Sequence, residues 1–351
     1  MSALRKFMPD VRGRQAQHLT TLAAFICAIV ASGSTQLPQV AKKICDGASP
    51  PSREKRLSRW VNNAAEHFET YFLPVAGALL MSLAQQTLTL VVDGTVVGRG
   101  CVALYVGVVY RKKVLPIAWT VVARKKGHLP ESVHIDLMMK VQALVPEGAK
   151  VILLGDGEFD GIDLQAVISH WQWSYVCRTA KSTILYWEGE PFRFDDMVPY
   201  CNRGEDIVAP GVLFTRKKYG PVNAITWWRE DCKEPIHLVT NIESPEEACM
   251  HYAKRFRIET FFRDHKRQGF HIHKSHISMP ERLAHLLIPA CLAYYWMIFL
   301  GAQAIRTGLD RIIHRKSRTD LSLFQLGLSL LDYLLGKGLR IPVSFAFPLV
   351  I

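Results

Sequence analysis

Apolar residues recur at helical spacing through the first 85 positions, interrupted at Ser32-Gly33-Ser34 and at Ser49-Pro50-Pro51-Ser52. Residues three and four apart share a helix face, so this period predicts a group of short helices. The texture changes near residue 86. The runs TLTLVVDGTVV, CVALYVGVVYR and KVLPIAWTVVAR are rich in β-branched and aromatic residues and are separated by short turn or basic segments. They read as three consecutive strands of an antiparallel meander. Glu131–Val145 returns to helical period, Lys150–Gly161 reads as a buried strand entering a glycine-rich turn, GIDLQAVISHW as a helix and WSYVCRTA as a strand. The order β-β-β-α-β-α-β predicts an α/β unit with a mixed sheet and crossover helices. From Ser182 to Asn241 the chain is strand-like again (ILYWEGEPF, GVLFTRKKYG, NAITWW, PIHLVTN). Beyond Glu247 it becomes helical and basic, with HYAKRFRIETFFRDHKRQGF as one amphipathic stretch, then a long apolar helix and a tail containing RIIHRKSR and LSLFQLGLSLLDYLL. The expected division is a helical unit over 1–85, the first part of the sheet core over 86–181, a β-rich insertion over 182–244, the core's C-terminal helices over 245–305 and a helical tail over 306–351.

Charge narrows the partners. The 351 residues hold 43 Lys and Arg against 31 Asp and Glu, a formal charge of +12. A basic balance of this size favours a polyanion, which DNA, RNA and an anionic membrane all satisfy. The basic segment Ser52–Trp60 fits a small DNA-binding unit of helix-turn-helix type, and equally a solvated basic helix. The eight cysteines form no C-x-x-C pair, which argues against a zinc ribbon or a thioredoxin-type site and for reduced thiols in a cytoplasmic protein. Leu19–Ser34 imitates a signal peptide, but its leader is long and contains Asp10. Leu286–Ile305 carries no charged residue and is long enough to span a bilayer. In so charged a chain it reads instead as a helix buried on all sides, and no membrane association is expected.

Two aspartates stand where apolar strands meet glycine: Asp93 after LTLVV and Asp156 after VILLG. A carboxylate there lies at the rim of a sheet, where the glycine lets a ligand approach the backbone. Two such groups on neighbouring strands can share a hard cation such as Mg2+. Asp160 is a neighbouring candidate. A third acid comes from helix geometry. At about 100° per residue, Tyr252, Arg255, Glu259 and Lys266 fall near 0°, 300°, 340° and 320°, on one stripe. A phenol, two cations and an acid make a poor core face and a good surface for a phosphate backbone beside a metal. The alternative is a charge-paired, solvated helix. His271, His273 and His276 lack zinc-type spacing and read as a basic loop, and the clusters at Arg111–Lys113 and Arg216–Lys218 as hairpin tips.

Tyr252-x2-Arg255-x3-Glu259-x6-Lys266 resembles the Y-x2-R-x3-E-x6-K signature of a large family of bacterial insertion-sequence transposases. VVDGT and LLGDGEFDG resemble that family's first and second acidic motifs, and the resemblance covers roughly residues 86 to 335. It implies an RNase H-like catalytic core with a D-D-E triad, Asp93, Asp156 and Glu259, binding two Mg2+ or Mn2+ ions. It implies DNA contacts from Tyr252, Arg255 and Lys266, and base stacking by Trp227 or Trp228 of the insertion, for which core packing is the alternative; Arg263 on the same stretch is a further candidate DNA contact. The expected activity is cut-and-paste transposition: metal-dependent cleavage at terminal inverted repeats and strand transfer into target DNA. A homodimer would hold the two ends in a synaptic complex on the prokaryotic nucleoid. A catalytically inactive, domesticated DNA-binding regulator is the second reading; loss of a triad carboxylate would mark it, and all three are present.

Overall fold

The computed structural model describes residues 1–63, 67–124, 127–314 and 321–347. Its centre is a single ten-stranded sheet, with strands β1 (Leu88–Val97), β2 (Cys101–Tyr110), β3 (Lys113–Ala123), β4 (Val151–Gly155), β5 (Ser174–Arg178), β6 (Ile184–Trp187), β7 (Glu190–Arg193), β8 (Asp206–Phe214), β9 (Tyr219–Trp227) and β10 (Ile236–Thr240). The spatial order is β3-β2-β1-β4-β5-β10-β9-β8-β6-β7. The meander β1–β3 is antiparallel, while β4 and β5 run parallel to β1. This is the mixed sheet that the strand pattern predicted. The crossover helices are α4 (Glu131–Gln142) between β3 and β4 and α5 (Ile162–His170) between β4 and β5.

The strands of residues 182–244 do not form a sheet of their own. β10 pairs antiparallel with β5, and β9, β8, β6 and β7 extend the same ladder outward. The insertion thus covers what would otherwise be an exposed, adhesive edge at β5.

Preceding the sheet are α1 (Gly13–Ser32), α2 (Pro50–Asn62) and α3 (Leu73–Leu83); following it are α6 (Pro245–Tyr252), α7 (Arg257–Lys266), α8 (Pro280–Thr307) and α9 (Leu323–Gly336). The apolar run of α8 is a core helix: 83% of its most hydrophobic window is buried, and it packs on β3, α1, α2 and α9. The signal-like run forms α1, whose Leu19, Leu22, Phe25 and Ile29 are buried. Arg315–Arg318, the basic end of RIIHRKSR, lie outside the described residues.

The α8–α9 contact depends on two glycines. A Cβ on Gly327 would meet the Met297 carbonyl oxygen, and one on Gly301 would meet the Leu323 carbonyl oxygen, both closer than atoms can approach. Because the obstacle is backbone, no rotamer change relieves it. Gly327→Ala is therefore expected to destabilise the fold by about 1–3 kcal/mol, the usual cost of overpacking. An unchanged midpoint in chemical denaturation would refute this.

Candidate active site

β1 and β4 are parallel neighbours in the register Val91↔Leu154. Asp93 and Asp156 each lie two residues further on, so the strand period of two brings both carboxylates to one level and one face. Burial ends at the same place: β1 is closed from Leu88 to Val92 and opens at Asp93. Local amides then fix the two acids. The Gly94 N–H donates to Asp93 Oδ1 at 2.7 Å, and the Glu158 N–H donates to Asp156 Oδ1 at 3.0 Å. Asp160 faces elsewhere, accepting the Thr179 hydroxyl at 2.6 Å.

The third acid arrives differently from the expectation. The signature does not occupy one helix. α6 ends at Tyr252, α7 begins at Arg257, and the residues between them form turns. Successive N–H groups bond three residues back, Arg255 to Tyr252 (2.9 Å), Ile258 to Arg255 (3.2 Å) and Glu259 to Phe256 (3.2 Å). This tighter winding breaks the 100° step and separates the stripe. Tyr252 is buried rather than presented to solvent, its ring edge-on to Phe256, and burial pushes its phenol well above the ordinary value. Glu259 stays outside, with a side chain 60% exposed.

Arg255 turns inward. One of its terminal nitrogens donates to Asp93 Oδ2 and to Asp156 Oδ2, both at 2.9 Å, and the other lies 3.4 Å from Glu259 Oε1. Three carboxylates from β1, the β4 end and α7 thus converge on the guanidinium of Arg255, a residue only 8% exposed. Burial pushes Asp93 up to about 7; the nearby Asp156 and Glu259 push the same way, while Arg255 and the Gly94 amide oppose them. Hard carboxylate oxygens around one positive charge are the donor set that Mg2+ or Mn2+ takes. Here the guanidinium fills that position. Among the described residues, no group of three or more His, Cys, Asp or Glu is drawn together closely enough to hold a metal ion. Asp93, Asp156 and Glu259 offer oxygen donors of the kind a divalent cation takes, and in this structure Arg255 occupies the space between them.

The remaining expected residues surround this centre unevenly. Lys266 on α7 donates to the Thr95 hydroxyl at 2.6 Å, two residues beyond Asp93. Arg263 is exposed on the same helix. Trp227 and Trp228 are half-buried at the end of β9, and the Trp228 indole donates to the Cys232 carbonyl at 3.4 Å. Arg229 was not anticipated. Its guanidinium lies 5.4 Å from the Trp227 ring and 5.8 Å from that of Phe256, the neighbour of Arg255, so it links the insertion to the signature turn. No sequence spacing marks that link, because β9 and the turn meet only through the folded sheet. Arg216–Lys218 form the β8–β9 tip as expected, but at the β2–β3 tip Lys113 is buried and bonded to Asp264 at 2.5 Å, not solvated.

The family profile of the transposase DDE domain matches residues 90–296, which run from within β1 through the strands of 182–244 and past the signature. The chain belongs to this transposase family. No curated protein matches it. Two solved structures are similar over much of its length. One is the piggyBac transposase, seen by cryo-electron microscopy in a synaptic complex with hairpin DNA, at TM-score 0.45 and 10% identity over 95% of this chain and 74% of that one. The other is human ENDOV, at TM-score 0.28 and 11% identity over 65% and 88%.

Proposed function

We propose that this chain cuts DNA at transposon ends and joins the freed 3′ ends to target DNA, using Asp93, Asp156 and Glu259 as its metal-binding triad. The observation that carries this reading is the convergence of those three carboxylates on a single guanidinium. The triad would hold Mg2+ or Mn2+, and the bound metal supplies Lewis-acid stabilisation for phosphodiester displacement. The chain's own residues do the rest. Asp93 and Asp156 stay aimed into the site because the Gly94 and Glu158 amides hold their second oxygens. Arg255, once released, presents a planar pair of donors suited to a phosphate of the cut strand. Lys266, tethered beside Asp93, and Arg263 on the exposed side of α7 add phosphate contacts. Tyr252 supports the turn from beneath, and Trp227 or Trp228 offers a stacking face for an unpaired base. The helical unit over 1–85 assists in DNA binding, and a homodimer brings two ends together in the cytoplasm of a prokaryotic cell.

Arg255 competes with the metal for the same oxygens. Arg255→Ala is therefore expected to bind Mn2+ several-fold more tightly in the DNA-free protein while cutting DNA more slowly. Titration followed by electron paramagnetic resonance reads the first effect; an unchanged affinity would mean that the guanidinium does not guard the site. The whole reading is tested with a plasmid carrying the inverted repeats that flank the gene. Metal-dependent cutting at the repeat boundary followed by joining supports it. Cutting without joining identifies a nuclease, and binding without cutting a regulator.

A further inference from the structure

The turn that carries Asp156 is held from outside by a side chain that is not one of the three acids. Between β4 and α5 the chain runs Gly155-Asp156-Gly157-Glu158-Phe159. Asp156 closes this turn with two bonds of its own. Its Oδ1 accepts the Glu158 N–H at 3.0 Å, and its carbonyl accepts the Phe159 N–H at 3.0 Å. An aspartate that bonds an amide two residues on in this way has its carboxylate direction set by that amide. Whatever holds the Glu158 peptide therefore also aims Asp156.

The Glu158 side chain does the holding. Its Oε1 accepts the Leu129 N–H at 2.7 Å and lies 3.3 Å from His134 Nε2. An ionised carboxylate can only accept, so the imidazole carries a proton on Nε2 and donates it. His134 stands on α4 with its side chain 2% exposed, and its ring lies 4.7 Å from that of Phe159, the next residue of the turn. Phe159 is buried against Gly155, where an added Cβ would meet the Phe159 side chain. Glu131, three residues before His134, accepts the Leu164 N–H at 2.8 Å at the start of α5 and lies against Gly161. The first turn of α4 thus grips the Asp156 turn at both ends. Packing alone would not call for a carboxylate and an imidazole here, because an apolar pair avoids the cost of burying polar groups.

We propose that Glu158 is a positioning residue that keeps Asp156 aimed at the ion, and that His134 orients Glu158. The proposal rests on the triad reading above and adds what holds its second acid. Among the described residues neither side chain bonds to Asp93, Asp156 or Glu259. The influence runs through the Glu158 amide.

Two readouts on full-length, DNA-free protein separate this role from a merely structural one. One is hydrogen exchange of the amides at positions 158 and 159; the other is Mn2+ affinity by electron paramagnetic resonance. Glu158→Ala should lose protection at both amides and bind Mn2+ about 10-fold or more weakly, as when a partner that orients a ligand is lost. Glu158→Gln keeps an acceptor oxygen for Leu129 and His134, so it should retain wild-type behaviour in both. His134→Leu should act in the same direction as Glu158→Ala but less, because the Leu129 bond remains. It decides the matter if the melting curve shows that Glu158→Ala does not fold. Wild-type exchange and Mn2+ affinity in these variants overturn the proposal. So does a folded Glu158→Gln that binds Mn2+ as poorly as Glu158→Ala, since the charge itself would then be what the ion needs and Glu158 would be a ligand. Failure of the triad reading looks different: exchange at 158 and 159 responds as expected, which upholds the hold on Asp156, but Asp93→Ala binds Mn2+ as tightly as wild type.

Discussion

Replacing Asp93 by alanine is expected to leave a folded protein that binds duplex DNA and does not cut it. Asp93 is the acid most firmly placed in the site. It is fixed by strand register to Asp156, by the Gly94 amide and by Arg255. Loss of partners that merely orient metal ligands typically costs 10–100-fold, so loss of Asp93, the ligand proposed above, should slow cleavage by more than about 100-fold. The fold should tolerate the change, because ionised Asp93 is itself a burden on the native state. Its value rises from 3.8 to about 7 in the fold. An acid raised in this way favours the folded state while protonated, and that advantage fades as pH climbs from 3.8 to about 7. Relative to wild type, Asp93→Ala should therefore melt higher at pH 8 than at pH 4. Residual cutting near the wild-type rate, at matched binding, would remove Asp93 from the triad. A variant whose stability difference ignores pH would contradict the burial argument alone.

Lys113→Met should be the most destabilising single change outside the apolar core. Lys113 of β3 and Asp264 of α7 form an ion pair with side chains 4% and 0% exposed. Burial pushes Asp264 up and Lys113 down, each opposed by the other's charge. Removing the lysine strands a carboxylate in the interior, which costs about 3–5 kcal/mol at neutral pH. The sign of the pH effect follows. Asp264 then has a still higher value in the fold, so it regains stability by taking up a proton, and the deficit should shrink as pH falls toward the ordinary carboxylate range near 3.8. Lys113→Met/Asp264→Leu should recover most of the loss, since a packed apolar pair of similar volume is often neutral. Denaturant titration of both variants at two pH values decides the matter. A double variant as unstable as the single would show that the pair matters for its volume and not for its charge. The effect also reaches the site, because α7 carries Glu259 and Lys266 and Asp264 pins that helix to β3.

Much was legible along the chain. The alternation and β-branching of residues 86–123, followed by helix, strand, helix and strand, determined a mixed sheet with crossover helices, because side-chain period and turn chemistry are local properties. The Asp-Gly steps after LTLVV and VILLG determined where its rim acids lie. The spacing from Tyr252 to Lys266 determined the resemblance to insertion-sequence transposases; the profile match then established the transposase family. Only the tertiary structure decided what those residues do to one another. A uniform helical period placed Arg255 on an outward stripe with Tyr252. In the fold the chain tightens into a turn there, Tyr252 is buried, and Arg255 reaches the two aspartates that β1–β4 pairing sets side by side. Lys113 likewise reads as part of a solvated hairpin tip until α7 packs on β3 and brings Asp264 to it. The apolar run of α8 has the composition of a membrane span, and only the helices and strands packed around it show what buries it. In each case the deciding partner lies far away in sequence, and Coulomb attraction and burial act through space, where local periodicity carries no record of them.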